Sequence, residues 1–149
     1  MPQISELITN YPFTSKERFL NYVQIDTQSD PHSSSSPSTE KQKNLGKILV
    51  QELQTLGITN AHLDEFGYVY AQLESNVPHE VPGLCFCAHM DTSPDCSGAG
   101  VKPIVHPYYH GQDLVLPDDP SVVIRLNEHP DLTEQIGNDI ITASGTTLL

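Results

Sequence analysis

Basic side chains are scarce in this sequence. Seven Lys and Arg stand against 19 Asp and Glu in 149 residues, a formal net charge of -12, and the few basic residues gather mainly between Lys41 and Lys47. A nucleic-acid ligand requires a basic surface from which counterions are released, so nucleic-acid binding is disfavoured. An acidic surface favours solubility and weakly attracts cations, the amino termini of peptides among them. Long apolar runs are missing as well. No window approaches the roughly 18 apolar residues of a membrane span, and the opening MPQISELITNYPF lacks the basic stretch and apolar core of a secretory leader. The three cysteines are an odd number, unsuited to a disulfide framework. Together these scarcities lead to the expectation of a cytoplasmic protein with no membrane or nucleic-acid partner, in which Cys85, Cys87 and Cys96 are free thiols. The length suits one compact domain.

Within that frame, local signals predict alternating helices and strands. Thr14 with Glu17 fits a capping box ahead of a helix over 15–25 whose packed face is drawn from Phe19, Leu20, Tyr22 and Val23. Residues 26–38, DTQSDPHSSSSPS, have turn-forming composition and read as a loop. A second helix follows. It has Ser38 as N-cap, Glu40 in the first turn, an apolar stripe of Leu45, Ile48, Leu49, Leu53 and Leu56, and Gly57 as terminator. That stripe calls for a supporting sheet. Residues 60–65 and 68–74 read as a strand pair about Phe66-Gly67. The unbroken apolar run 84–88 reads as a central strand covered on both faces. Beyond Asp95, prolines at 103, 107, 117, 120 and 130 limit the elements to short extended pieces near Ile104-Val105 and 140–143. The fold class expected is α/β, with helices packed on a mixed sheet.

The stretch CFCAHMDTSPD, residues 85–95, carries the chemistry. In open α/β sheets ligands bind beyond the carboxyl ends of strands, which is where the 84–88 strand would deliver His89. Imidazole is a common zinc ligand, and its second nitrogen usually donates to a carboxylate that fixes the tautomer. Asp91, two residues on, points to the same side of an extended chain. The same two residues also read as a loop histidine hydrogen-bonded to a nearby acid. His32, His79, His106, His110 and His129 lie in polar or Pro-interrupted segments and read as loop residues, and His62 as a solvent-facing strand residue. Cys85, Cys87, His89 and Asp91 share one parity, yet four alternate strand residues span roughly 20 Å, whereas zinc ligands converge to about 2 Å from one ion. The two cysteines therefore read as small core residues. Gly98-Ala99-Gly100 lacks the helix start of a dinucleotide fingerprint, and Asp118-Asp119-Pro120 reads as a solvated turn.

Residues 89–95, HMDTSPD, resemble the first metal-site motif of the tripeptide aminopeptidases within the M20 family of zinc metallopeptidases. The likeness extends to Arg18-Phe19-Leu20-Asn21-Tyr22-Val23, Asp26-Thr27-Gln28-Ser29, Pro37-Ser38-Thr39-Glu40, Asn76-Val77-Pro78 and the closing TASGTTLL of 142–149. It implies removal of the first residue of a tripeptide substrate by two zinc ions, which acidify a water and polarise the scissile carbonyl. It further implies that His89 is a ligand of one zinc and Asp91 the catalytic residue that orients that imidazole. The bridging aspartate, the paired glutamates, a further acidic ligand, a distal histidine and the lid domain that the family carries have no counterpart here. Residues 1–149 are thus expected to be the amino-terminal part of an M20-type catalytic domain, a zinc-exopeptidase-like fold left incomplete and inactive by itself. The alternative is an inactive truncated product or a metal-binding or interaction module. Oligomeric state is left unassigned.

Overall fold

The computed structural model describes residues 15–149; the expected cap at Thr14 lies outside them. Helix α1, Ser15–Tyr22, ends three residues short of the expected bound and carries no buried residue. Its ladder runs on as turns, with Val23 N–H donating to Phe19 O and Ile25 N–H to Tyr22 O. Lys16 Nζ reaches Asp139 Oδ2 at 2.6 Å and ties the helix to the far end of the chain.

Helix α2 spans Gln42–Thr55. It begins later than the Ser38 cap implied, because the N–H groups of Gln42, Lys43 and Asn44 bond three residues back in tight turns. The Ser38 hydroxyl instead accepts from Asp30 N–H and Gln42 Nε2. At the other end the expected terminator holds. Gly57 takes φ 90°, its N–H donates to Gln54 O, and Ile58 N–H donates to Leu53 O, the paired bonds of a Schellman stop. Leu45 is buried, and the helix packs on a hairpin, as the stripe required.

That hairpin comprises β1, His62–Leu63, and β2, Val69–Tyr70, antiparallel with His62 opposite Tyr70 and Leu63 opposite Val69. The pairing is the expected one over a shorter span. His62 is exposed and stacks on Tyr70 with ring centroids 5.5 Å apart. Farther on, β3, Ile104–His106, pairs antiparallel with β6, Ile140–Thr142. Here the two short extended pieces foreseen from the sequence prove to be each other's partners. His106 belongs to this strand rather than to a loop, its Nε2 2.9 Å from Thr142 Oγ1. Between them lie a pair not foreseen, β4, Leu114–Val115, with β5, Val123–Ile124, and a 3-10 turn over Pro130–Gln135 that starts on proline. Val101, Tyr109, Leu114, Leu116 and Ala143 are buried around this half.

The fold is thus mixed in helix and strand, and its sheets are three separate antiparallel pairs; the described residues form no continuous mixed sheet. The largest correction concerns 84–88. No strand forms there, and Leu84 and Phe86 stand 81% and 89% exposed. A central strand needs a ladder on both edges and cover on both faces, and among the described residues no backbone group bonds to this run. Cys85 and Cys87 are accordingly exposed free thiols and not core residues; Cys96 is half-buried and free.

Three substitutions at two positions test this packing. Gly57→Ala should cost about 1 kcal/mol by urea unfolding, since an L side chain is strained at this positive φ. Tyr109 is fully buried and its hydroxyl has no hydrogen-bond partner among the described residues. Tyr109→Phe should therefore unfold at the same or higher urea concentration, whereas Tyr109→Ala should lose about 3–5 kcal/mol.

Candidate functional site

The site is assembled by a loop-to-loop joint. Thr92 N–H donates to Thr27 O at 3.2 Å, and Ser29 N–H donates to Thr92 O at 3.0 Å. Gln28 and Thr92 thereby form a parallel bridge. The Gln28 amide extends the joint by donating to Cys96 O at 2.7 Å, and the Thr39 hydroxyl donates to Gln28 O at 2.8 Å. Segments 26–29, 37–40 and 89–95, far apart in sequence, meet here. The closing segment runs alongside, with Leu148 N–H donating to Ser97 O. Gly98 admits the close approach, because a Cβ there would stand 3.0 Å from Thr92 Oγ1 and 3.3 Å from Asp26 Oδ1.

Asp26 anchors this joint to α2. Lys41 Nζ lies 2.8 Å from Asp26 Oδ1 and 2.9 Å from Oδ2, and Oδ1 also accepts from Gln28 N–H. The Lys41 ammonium holds the Asp26 carboxyl below the usual carboxylate range; partial burial works against it, and the Gln28 N–H works with it. Asp26 did not stand out in the sequence by charge pattern, and Lys41 did so only as one of the basic residues of 41–47. The available signal was that 26–29 belongs to the resemblance.

The turn held by Thr92 presents His89 and Asp91 together. His89 Nδ1 lies 2.9 Å from Asp91 O and 3.2 Å from Asp91 Oδ1. A carbonyl and a carboxylate can only accept, so in the neutral ring Nδ1 carries the proton and Nε2 keeps its lone pair. The ring is exposed, with 85% of the side chain accessible. In this tautomer Nε2 is the nitrogen able to meet a metal ion. Both residues line an open groove of about 680 Å³ with an apolar floor from α2 and the hairpin, including Leu49, Leu53 and Val69. Tyr22 of α1 also lines it and donates its hydroxyl to Glu52.

Chemically, the described residues fit one arm of a metal site. They contain no group of three or more His, Cys, Asp or Glu able to hold an ion, so one imidazole with its orienting acid is what they offer. The other candidate acids have structural partners. Asp118 Oδ2 accepts from Lys102 Nζ and the Ser144 hydroxyl, and Asp119 Oδ1 accepts from the N–H and hydroxyl of Ser121. Both carboxyls are held below their ordinary range, Asp118 by Lys102 foremost and Asp119 by the Ser121 hydroxyl. The Asp118-Asp119 turn is a turn, as its sequence implied. No helix of the described residues is long and apolar enough to cross a membrane.

No protein-family model matches the chain. It is similar to proteins named peptidase T. One, from Clostridium botulinum strain Langeland, is 45% identical over 133 residues, covering 89% of this chain and 33% of the relative. Another, from Halothermothrix orenii, is 47% identical over 133 residues with the same coverage. The chain spans about a third of the length of the curated relatives it matches.

The Asp26–Lys41 pair sets a pH dependence. Because the folded carboxyl has the lower pKa, its stabilisation is complete above the unfolded value of about 3.9 and is lost as pH falls through the folded value. Lys41→Met should lose up to about 1 kcal/mol near neutral pH, the range of partly screened pairs. Denaturant titrations at a series of pH values should show the gap between wild type and variant closing below about pH 4.

Proposed function

We propose, for a chain homologous to peptidase T over 133 of its residues, that it supplies the first metal ligand and its orienting acid to an aminopeptidase acting on tripeptides. The observation that carries this reading is the His89–Asp91 contact, in which both acceptors on Nδ1 belong to Asp91 and Nε2 has no hydrogen-bond partner among the described residues. His89 is the zinc ligand. Asp91 is the catalytic residue, and its work is to fix the tautomer and raise the basicity of the ring.

The metal chemistry proposed is that of the M20 family, in which two zinc ions supply the Lewis acidity for peptide hydrolysis. The residues in hand hold one imidazole toward that site. With one protein ligand, most of a zinc coordination sphere is left to water, so no hydrolytic step is assigned to the described residues alone. The remaining donors, the general base and a lid over the substrate belong in this reading to polypeptide matching the rest of the relatives' length. The 149 residues are then the amino-terminal part of the catalytic domain, working in the cytoplasm and inactive by themselves.

Three measurements test the proposal. In a polypeptide extended to the relatives' full length, His89→Ala should abolish zinc-dependent release of the first residue of a tripeptide; undiminished turnover would refute the assignment. Asp91→Asn should reduce zinc affinity or activity by about 10–100-fold, with the fold retained by circular dichroism. The 149-residue chain supplied with zinc should release no amino acid above a metal blank.

A further inference from the structure

Cys85 and Cys87 are free and exposed, and their sulfurs lie 3.6 Å apart. A formed disulfide brings sulfurs to about 2.05 Å and tolerates Cα separations of about 4.4–6.8 Å. Residues two apart in fully extended chain stand roughly 6.6 Å apart, at the upper edge of that window. The bond also needs Cβ atoms about 3.5–4.5 Å apart, so closing it from an extended chain requires the backbone at Phe86 to contract. Nothing in the described residues resists this, because no backbone hydrogen bond holds 84–88. The same contraction is incompatible with a paired strand, in which Cys85 and Cys87 would be kept extended on one face.

We propose that Cys85 and Cys87 are a reversible dithiol site that exchanges with a low-molecular-weight disulfide such as oxidised glutathione, closing an intrachain bond that prevents 84–88 from pairing as a strand. In the first step one protein thiolate attacks the small disulfide, forms a mixed disulfide and expels one small thiol. In the second, the other protein thiolate attacks the mixed disulfide and expels the second small thiol. The protein loses two protons and two electrons, and the oxidant is reduced to two thiols. The 3.6 Å between the two sulfurs puts the second thiol within reach of that attack. Cys96, 3.7 Å from Thr146 O through its Sγ, lies outside the exchange. The consequence reaches the site, since the contracted segment ends two residues before His89. This inference stands independently of the peptidase reading.

The test uses the whole 149-residue chain equilibrated in buffers of increasing oxidised-to-reduced glutathione ratio, then alkylated in denaturant and weighed intact. Three labels in the reduced limit should fall to one, the survivor mapping to Cys96 after fragmentation, with the unlabelled mass lighter by two hydrogens. Cys85→Ser and Cys87→Ser should each abolish the loss of two labels and accumulate a glutathione adduct instead. Retention of all three labels, a glutathione adduct on the wild type without ring closure, disulfide-linked dimers, or loss of two labels in Cys85→Ser would each overturn the proposal.

Discussion

The backbone pairing of residues 27–29 with Thr92 is the constraint on which the rest of the site depends. Two N–H···O bonds fix it, each worth about 0.5–1.5 kcal/mol net, a modest sum. Their importance is positional. Thr27 is buried, so its carbonyl, if left without the Thr92 N–H, would sit desolvated and unpaired at a cost larger than the bond's net worth. Through Asp26 and Lys41 the joint is tied to α2, and through Thr39 to the turn that precedes α2. The orientation of the 89–95 turn is therefore inherited from the helix and not from a strand running into it.

What the sequence made legible follows the range of the interactions involved. Helix α2 was readable because its stripe, its glycine stop and its packing partner are encoded within a few residues of one another. The Gly57 stop emerged with the two bonds expected of it, whereas the start shifted because Ser38 gave its hydroxyl to Asp30 and Gln42. The β1–β2 hairpin was equally local. The partnership of 104–106 with 140–142 was not, since each piece alone signals only an extended chain. The run 84–88 misled for the same reason in reverse. Its composition records the environment a strand is suited to, and composition cannot supply the neighbours that create that environment.

Fully burying a leucine or phenylalanine is worth about 1.5–3 kcal/mol each, so Leu84 and Phe86 in water forgo roughly 3–6 kcal/mol between them. An apolar run without ladder or cover has no reason of its own to remain extended. The groove beside it poses the same problem from the other side, with Leu49, Leu53 and Val69 lining open space. An exposed apolar run and an uncovered apolar floor, joined through residues 88–91, are complementary defects of one packing arrangement. The chain spans about a third of the length of the relatives it matches.

Against that unfinished packing, the His89–Asp91 contact is notably self-sufficient. It spans two residues, needs no strand, and selects the imidazole tautomer by placing two acceptors on one nitrogen. The orientation of the imidazole is thus specified locally, while the number of donors that could converge with it is not. Metal affinity rises steeply with the count of converging donors and with their deprotonation, so a correctly oriented single imidazole contributes geometry without retention. The motif legible in the sequence determines how one ligand would meet an ion. Whether an ion stays depends on how many further donors converge on it.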